Sequence, residues 1–224
     1  MARFSRLKVL NTIHQMGLMP LYYNEDAEKV KQVVKASYKG GARVFEFTNR
    51  GDFAHEVFGE VNKWIRQECP EMILGVGSVV DAGTAALYIQ LGANFIVSPM
   101  INPEVAKTCN RRKIPWMPGC GTLTEINNAE ELGVEIVKIF PGEQVGGPAF
   151  VKAVKAPNPW TSIMPTGGVS PDKENLKAWF DAGVSCVGIG SKLFPADKIA
   201  ADDFGFIEEK IRETLQIITK LKTQ

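Results

Sequence analysis

The chain has 224 residues, 45% of them hydrophobic and 23% charged, with a formal net charge of +1. That is the composition of an ordinary globular protein of one large α/β domain or two small ones. It leaves no electrostatic footprint for nucleic acid and no polybasic membrane patch, and no apolar run reaches the roughly 18 residues that span a bilayer.

Residues 1–8 lack the apolar core and small-residue cleavage site of a signal peptide. Cys69, Cys109, Cys120 and Cys186 are scattered and form no CxxC pair, so they read as free thiols in a reducing cytoplasm. His14 and His55 are the two histidines. His55-Glu56 opens like a zinc-protease helix, but no second histidine follows four residues on, so no metal site is expected.

In chain order, a helix near residues 3–16 precedes a first strand at 19–23. Apolar residues at helical spacing follow, Val30, Val33 and Val34 with Ser37-Tyr38. Further strands are predicted at 44–49, 73–79, 95–99, 115–120, 136–141, 162–167 and 186–190. A short helix is predicted at 193–197 and a last helix at about 204–222, with Phe206, Ile207, Ile211, Leu215, Ile218 and Leu221 on one stripe. Gly41, Gly92, Gly133 and Gly183 each follow a helical pattern and open an apolar strand, so each reads as a helix C-terminal cap. Eight strand–helix units of about 25 residues fill most of the chain, with no linker or second domain. Alternation of this kind implies a parallel sheet, and eight units favour a closed (βα)8 TIM barrel, with one extra N-terminal helix, over an open sheet.

Two buried-looking charges stand out. Lys138 lies between Val137 and Ile139, and Glu46 between Phe45 and Phe47. Strand parity puts Val44, Glu46, Thr48 and Arg50 on one face, and Ile136, Lys138 and Phe140 on another. With the phenylalanines turned to the helices, Glu46 and Lys138 point into the barrel. Burial lowers a lysine's pKa and frees its amine to attack a carbonyl, with the glutamate as acid/base partner; a structural ion pair across the core is the equal alternative. Arg50 just past its strand suits a substrate carboxylate or a surface salt bridge. Gly167, Gly168, Gly190 and Ser191 end strands seven and eight, where such barrels bind phosphate. Gly75-Val76-Gly77-Ser78 lacks the third glycine of a dinucleotide fingerprint.

Together these segments resemble the 2-keto-3-deoxy-6-phosphogluconate (KDPG) and 4-hydroxy-2-oxoglutarate (KHG) aldolase family. The carriers are Glu46-Phe47-Thr48-Asn49-Arg50 for E-x-T-x-R, Gly75-Val76-Gly77-Ser78-Val79 for G-x-G-T-V, Ser98-Pro99, Pro118-Gly119, Lys138-Ile139-Phe140-Pro141 for K-x-F-P, and Pro165-Thr166-Gly167-Gly168-Val169 for P-T-G-G-I. The resemblance implies a cofactor-free, metal-free class I aldolase, a homotrimer of (βα)8 barrels. Its partners would be small molecules, a keto-deoxy sugar acid phosphate and pyruvate, with neither nucleic acid nor membrane. Lys138 would be the Schiff-base lysine and Glu46 the general acid/base. Arg50 and Thr166 would stand at the pyruvate end, with Thr48 and Ser78 also binding substrate. Gly167, Gly168, Gly190 and Ser191 would hold phosphate, and Phe140 and Pro99 would line the pocket. Departures flank the mouth: Ser78 for threonine, Asn49 for an apolar residue, Met100 after Ser98-Pro99, Cys120-Gly121-Thr122 in the strand-five loop, and Tyr22-Tyr23 for small aliphatics. The rivals are a galactonate-type aldolase, a phosphate-barrel isomerase or epimerase with Glu46 as base, and a non-enzymatic sugar-phosphate binding barrel.

Overall fold

The structure, a computed structural model, describes residues 2–223. Its elements are α1 (Arg6–Met16), β1 (Leu18–Tyr22), α2 (Ala27–Lys39), β2 (Val44–Thr48), α3 (Ala54–Glu68), β3 (Ile73–Gly77), α4 (Ala82–Gln90), β4 (Ile96–Ser98), α5 (Pro103–Arg112) and β5 (Trp116–Cys120). They continue with α6 (Leu123–Glu131), β6 (Val137–Ile139), α7 (Gly147–Lys155), β7 (Ile163–Pro165), α8 (Lys173–Asp181), β8 (Val187–Ile189), α9 (Ala196–Ala200) and α10 (Phe204–Lys222). The strands are parallel and follow one another in the order β7-β6-β5-β4-β3-β2-β1-β8. A parallel bridge from Thr166 to Gly188 joins the two ends, so the predicted barrel forms.

Helix ends are set locally. Ser5, Asp26, Asp81, Asn102 and Thr122 each accept a backbone N–H at the start of a helix. Gly41, Gly92, Gly133 and Gly183 lie one residue past the C-caps of α2, α4, α6 and α8, with φ of 108°, 96°, 83° and 97°. A Cβ is disfavoured in that region, which is why glycine marks each helix-to-strand corner. The short late helix is a correction. It spans Ala196–Ala200, not 193–197, because Pro195 holds Phe194 out of helical conformation and Leu193 closes a turn onto the Gly190 carbonyl.

Two cores flank the strands. The outer one, between barrel and helices, takes Phe45, Phe47, Val76, Val137 and Ile139 together with Val30, Val33 and Val34 of α2. Each fully buried side chain of this size stabilises the fold by roughly 1.5–3 kcal/mol. The inner one fills the lower barrel with Met19, Val44, Ile73, Val97, Met117, Ile136, Met164 and Cys186, one side chain from each strand or the residue leading into it. Val9 and Ile13 of α1 pack against this layer, so the N-terminal helix plugs the lower end.

Candidate active site

Two residues further along each strand, parity supplies the next inward layer: Leu21, Glu46, Gly75, Pro99, Gly119, Lys138, Thr166 and Gly188. It rests on an apolar floor. Glu46 and Lys138 are 2% and 5% exposed. Burial pushes the Glu46 carboxyl up from its ordinary range, against the pull of Lys138 and Arg50. Burial pushes the Lys138 amine down, and Arg50 adds to this while Glu46 opposes it. Both shifts favour the uncharged form of the group. Ion pairs among the described residues lie on the surface, such as Arg6–Glu135 and Lys31–Glu60, and Glu46 and Lys138 are not among them. The structural ion-pair alternative therefore lacks its contact. Lys138 Nζ lies 4.7 Å from the Phe140 ring centroid.

Above this layer opens a cavity of about 730 Å³. Thr48, Arg50, Phe140, Thr166, Gly167, Gly168, Gly190 and Ser191 all line it, so eight of the predicted residues converge there; Lys138 and Glu46 are not on its wall but share an inward layer with Thr166, which is. Ser78 and Pro99 do not reach this wall. Ser78 turns to φ 61° on leaving β3 and abandons strand alternation. At Pro99 the carbonyl faces Gly119, where a Cβ would meet it at 2.2 Å. Two polar atoms are buried without a hydrogen-bond partner in this region, Glu46 Oε2 and Thr166 Oγ1. Such atoms cost about 1–3 kcal/mol each when nothing pairs with them.

Tyr22 and Tyr23, which the sequence placed at the mouth without a role, line the cavity, and so do Glu143, Asp172 and Lys192, which it did not assign to the site. Tyr23 follows parity, two residues beyond Leu21. The others stand in loops or against parity, and nothing local signals their direction. Cysteine chemistry is disfavoured: burial pushes Cys109, Cys120 and Cys186 up to about 12, and all four thiols are free and buried. Among the described residues no cluster of three or more His, Cys, Asp or Glu forms a potential metal site, and no helix is long and apolar enough to cross a membrane.

A buried lysine with a lowered pKa and a buried carboxyl with a raised one, at the C-terminal mouth of a parallel barrel, suit a carbon–carbon lyase of the Schiff-base class. The family model for KDPG and KHG aldolases matches residues 9–210, and the chain belongs to that family. It is 33% identical to the 2-dehydro-3-deoxy-phosphogluconate aldolase of Treponema pallidum over 212 residues, covering 95% of this chain and 98% of the relative. It is 32% identical to the KHG/KDPG aldolase of Escherichia coli K12 over 203 residues, covering 89% and 91%. Among solved structures, a KDPG aldolase from Legionella pneumophila, with pyruvate captured as a covalent carbinolamine intermediate, superposes with a TM-score of 0.82. It is 25% identical, with 91% of this chain and 96% of that one covered.

Proposed function

We propose that this protein cleaves 2-keto-3-deoxy-6-phosphogluconate reversibly to pyruvate and glyceraldehyde 3-phosphate, and also accepts 4-hydroxy-2-oxoglutarate, yielding pyruvate and glyoxylate. The observation that carries the residue roles is the burial of Lys138 and Glu46 in one inward layer, with their pKa values pushed toward each other.

The neutral Lys138 amine adds to the C2 carbonyl to give a carbinolamine. Proton donation by Glu46 expels water and leaves an iminium. Glu46, now ionised, takes the C4 hydroxyl proton. The C3–C4 bonding pair passes into the iminium, and the aldehyde departs from the resulting enamine. Protonation at C3 and hydrolysis return pyruvate and the free amine. The reaction as written uses no metal and no organic cofactor. Arg50, with Thr48 and Thr166, holds the pyruvyl carboxylate and hydroxyl groups, and Phe140 covers the imine. The glycine backbone of the loops after β7 and β8, with Ser191, receives the phosphate.

The functional unit is proposed to be a cytoplasmic homotrimer of single-domain barrels. In support, Phe53, Val80, Met100 and Leu123, which follow β2, β3, β4 and β5, are exposed apolar side chains around one side of the mouth.

The test is pyruvate release from the phosphorylated substrate by wild type and Lys138→Arg. A guanidinium cannot form the imine, so release should fall to background in the variant. Undiminished release, or none in the wild type, overturns the reading.

A further inference from the structure

We infer that Lys192 is the side chain that selects a phosphate at the distal end of the cavity. The inference deepens the reading above and rests on its phosphate site.

Four charged side chains line the cavity: Arg50, Glu143, Asp172 and Lys192. Two are carboxylates on the β7 side. Glu143 lies against the strand-seven loop. A Cβ built on Gly168 would stand 2.3 Å from Glu143 Cβ and 2.9 Å from its Oε2, and the Glu143 N–H donates to the Gly167 carbonyl at 3.1 Å. Asp172 accepts the Ser170 hydroxyl at 2.6 Å. A phosphate cradled by glycine N–H groups here meets two like charges, and neutral backbone dipoles alone must offset them.

A cation at this end would offset both carboxylates. Arg50 is engaged at the other: it follows β2, beside Thr48, and is near enough to bias both Glu46 and Lys138. Lys192 follows Ser191 directly in the loop after β8, on the cavity wall with Gly190 and Phe194. Lys198 pairs with Asp203, but Lys192 enters none of the ion pairs or side-chain hydrogen bonds found among the described residues. Its ammonium is free to meet an anion, on a flexible stem that can follow the ligand.

The experiment measures kcat/KM for 2-keto-3-deoxy-6-phosphogluconate and for 4-hydroxy-2-oxoglutarate in wild type, Lys192→Gln and Lys192→Arg. Lys192 is exposed, so the substitutions leave the core untouched. The wild-type preference for the phosphorylated substrate should fall about tenfold in Lys192→Gln and survive in Lys192→Arg. Added salt should erode the preference of the wild type and not that of Lys192→Gln. A preference retained in full by Lys192→Gln, or equal losses on both substrates, overturns the inference while the phosphate site stands. A wild type with no preference overturns the phosphate reading itself, and this inference with it.

Discussion

The carboxyl of Glu46 fills the space that a side chain at Gly77 would need. A Cβ there would stand 1.7 Å from Glu46 Oε1 and 2.5 Å from Cδ. The register pairs Glu46 with Gly75 and Thr48 with Gly77, so Glu46 leans one layer up, across the neighbouring strand. The glycine in the strand is thus a seat for the acid/base group.

Gly77→Ala should displace that carboxyl and leave Lys138 in place. Turnover should fall by about 10²–10⁴, the usual loss when acid/base catalysis is removed. Wild-type turnover in a folded Gly77→Ala protein would show that the position of Glu46 is immaterial.

Lys138→Met should abolish cleavage and raise stability. The folded-state pKa of Lys138 is lowered by burial, so the unfolded chain binds its proton more readily. That penalty is full below the folded pKa and vanishes as pH rises through the unfolded value near 10.5. Glu46 has the opposite shift, and its penalty grows as pH rises from 4.5 through the folded value. Removing the buried amine should contribute about 1–3 kcal/mol near neutral pH, or roughly 2–4 °C of Tm for each kcal/mol in a chain of this size. Thermal unfolding at pH 7 checks this, and a lower Tm would contradict it.

Much of this site was legible because parallel strands buried on both faces leave few places for charge. Lys138 and Glu46 interrupt apolar runs, and alternation then carries each inward. The corner glycines mark strand starts for the same local reason, a positive φ. What stayed hidden was set by tertiary packing. Glu143 comes to the cavity through the path of the loop after β6, and Lys192 through the turn that Leu193 closes. Pro99 matched a motif, yet its backbone packs against Gly119 and it stays off the wall, and Ser78 is turned aside by its own backbone.

The rate of imine formation with pyruvate should be bell-shaped in pH. The acid limb is protonation of Lys138 below its lowered pKa, and the alkaline limb is ionisation of Glu46 above its raised one. Stopped-flow trapping across pH should show both limbs in wild type, and Glu46→Gln should lose the alkaline one. An unchanged alkaline limb in that variant would assign it to another group.

Gly168→Val should raise KM for the phosphorylated substrate far more than for 4-hydroxy-2-oxoglutarate. Gly168 has φ 77°, and a Cβ there would meet Glu143 Cβ at 2.3 Å, so a side chain displaces the loop proposed to cradle the phosphate. Circular dichroism verifies folding before the kinetics are compared. Equal damage to both substrates in a folded variant would remove the phosphate from this loop.

The central claim is that Lys138 forms the covalent link to substrate. Borohydride reduction in the presence of pyruvate, followed by mass spectrometry of the peptides, tests it directly. One reduced pyruvyl adduct should map to the peptide carrying Lys138, and none should form in Lys138→Arg. An adduct on Lys192 or any other lysine, or none in a protein that still cleaves its substrate, would contradict the account.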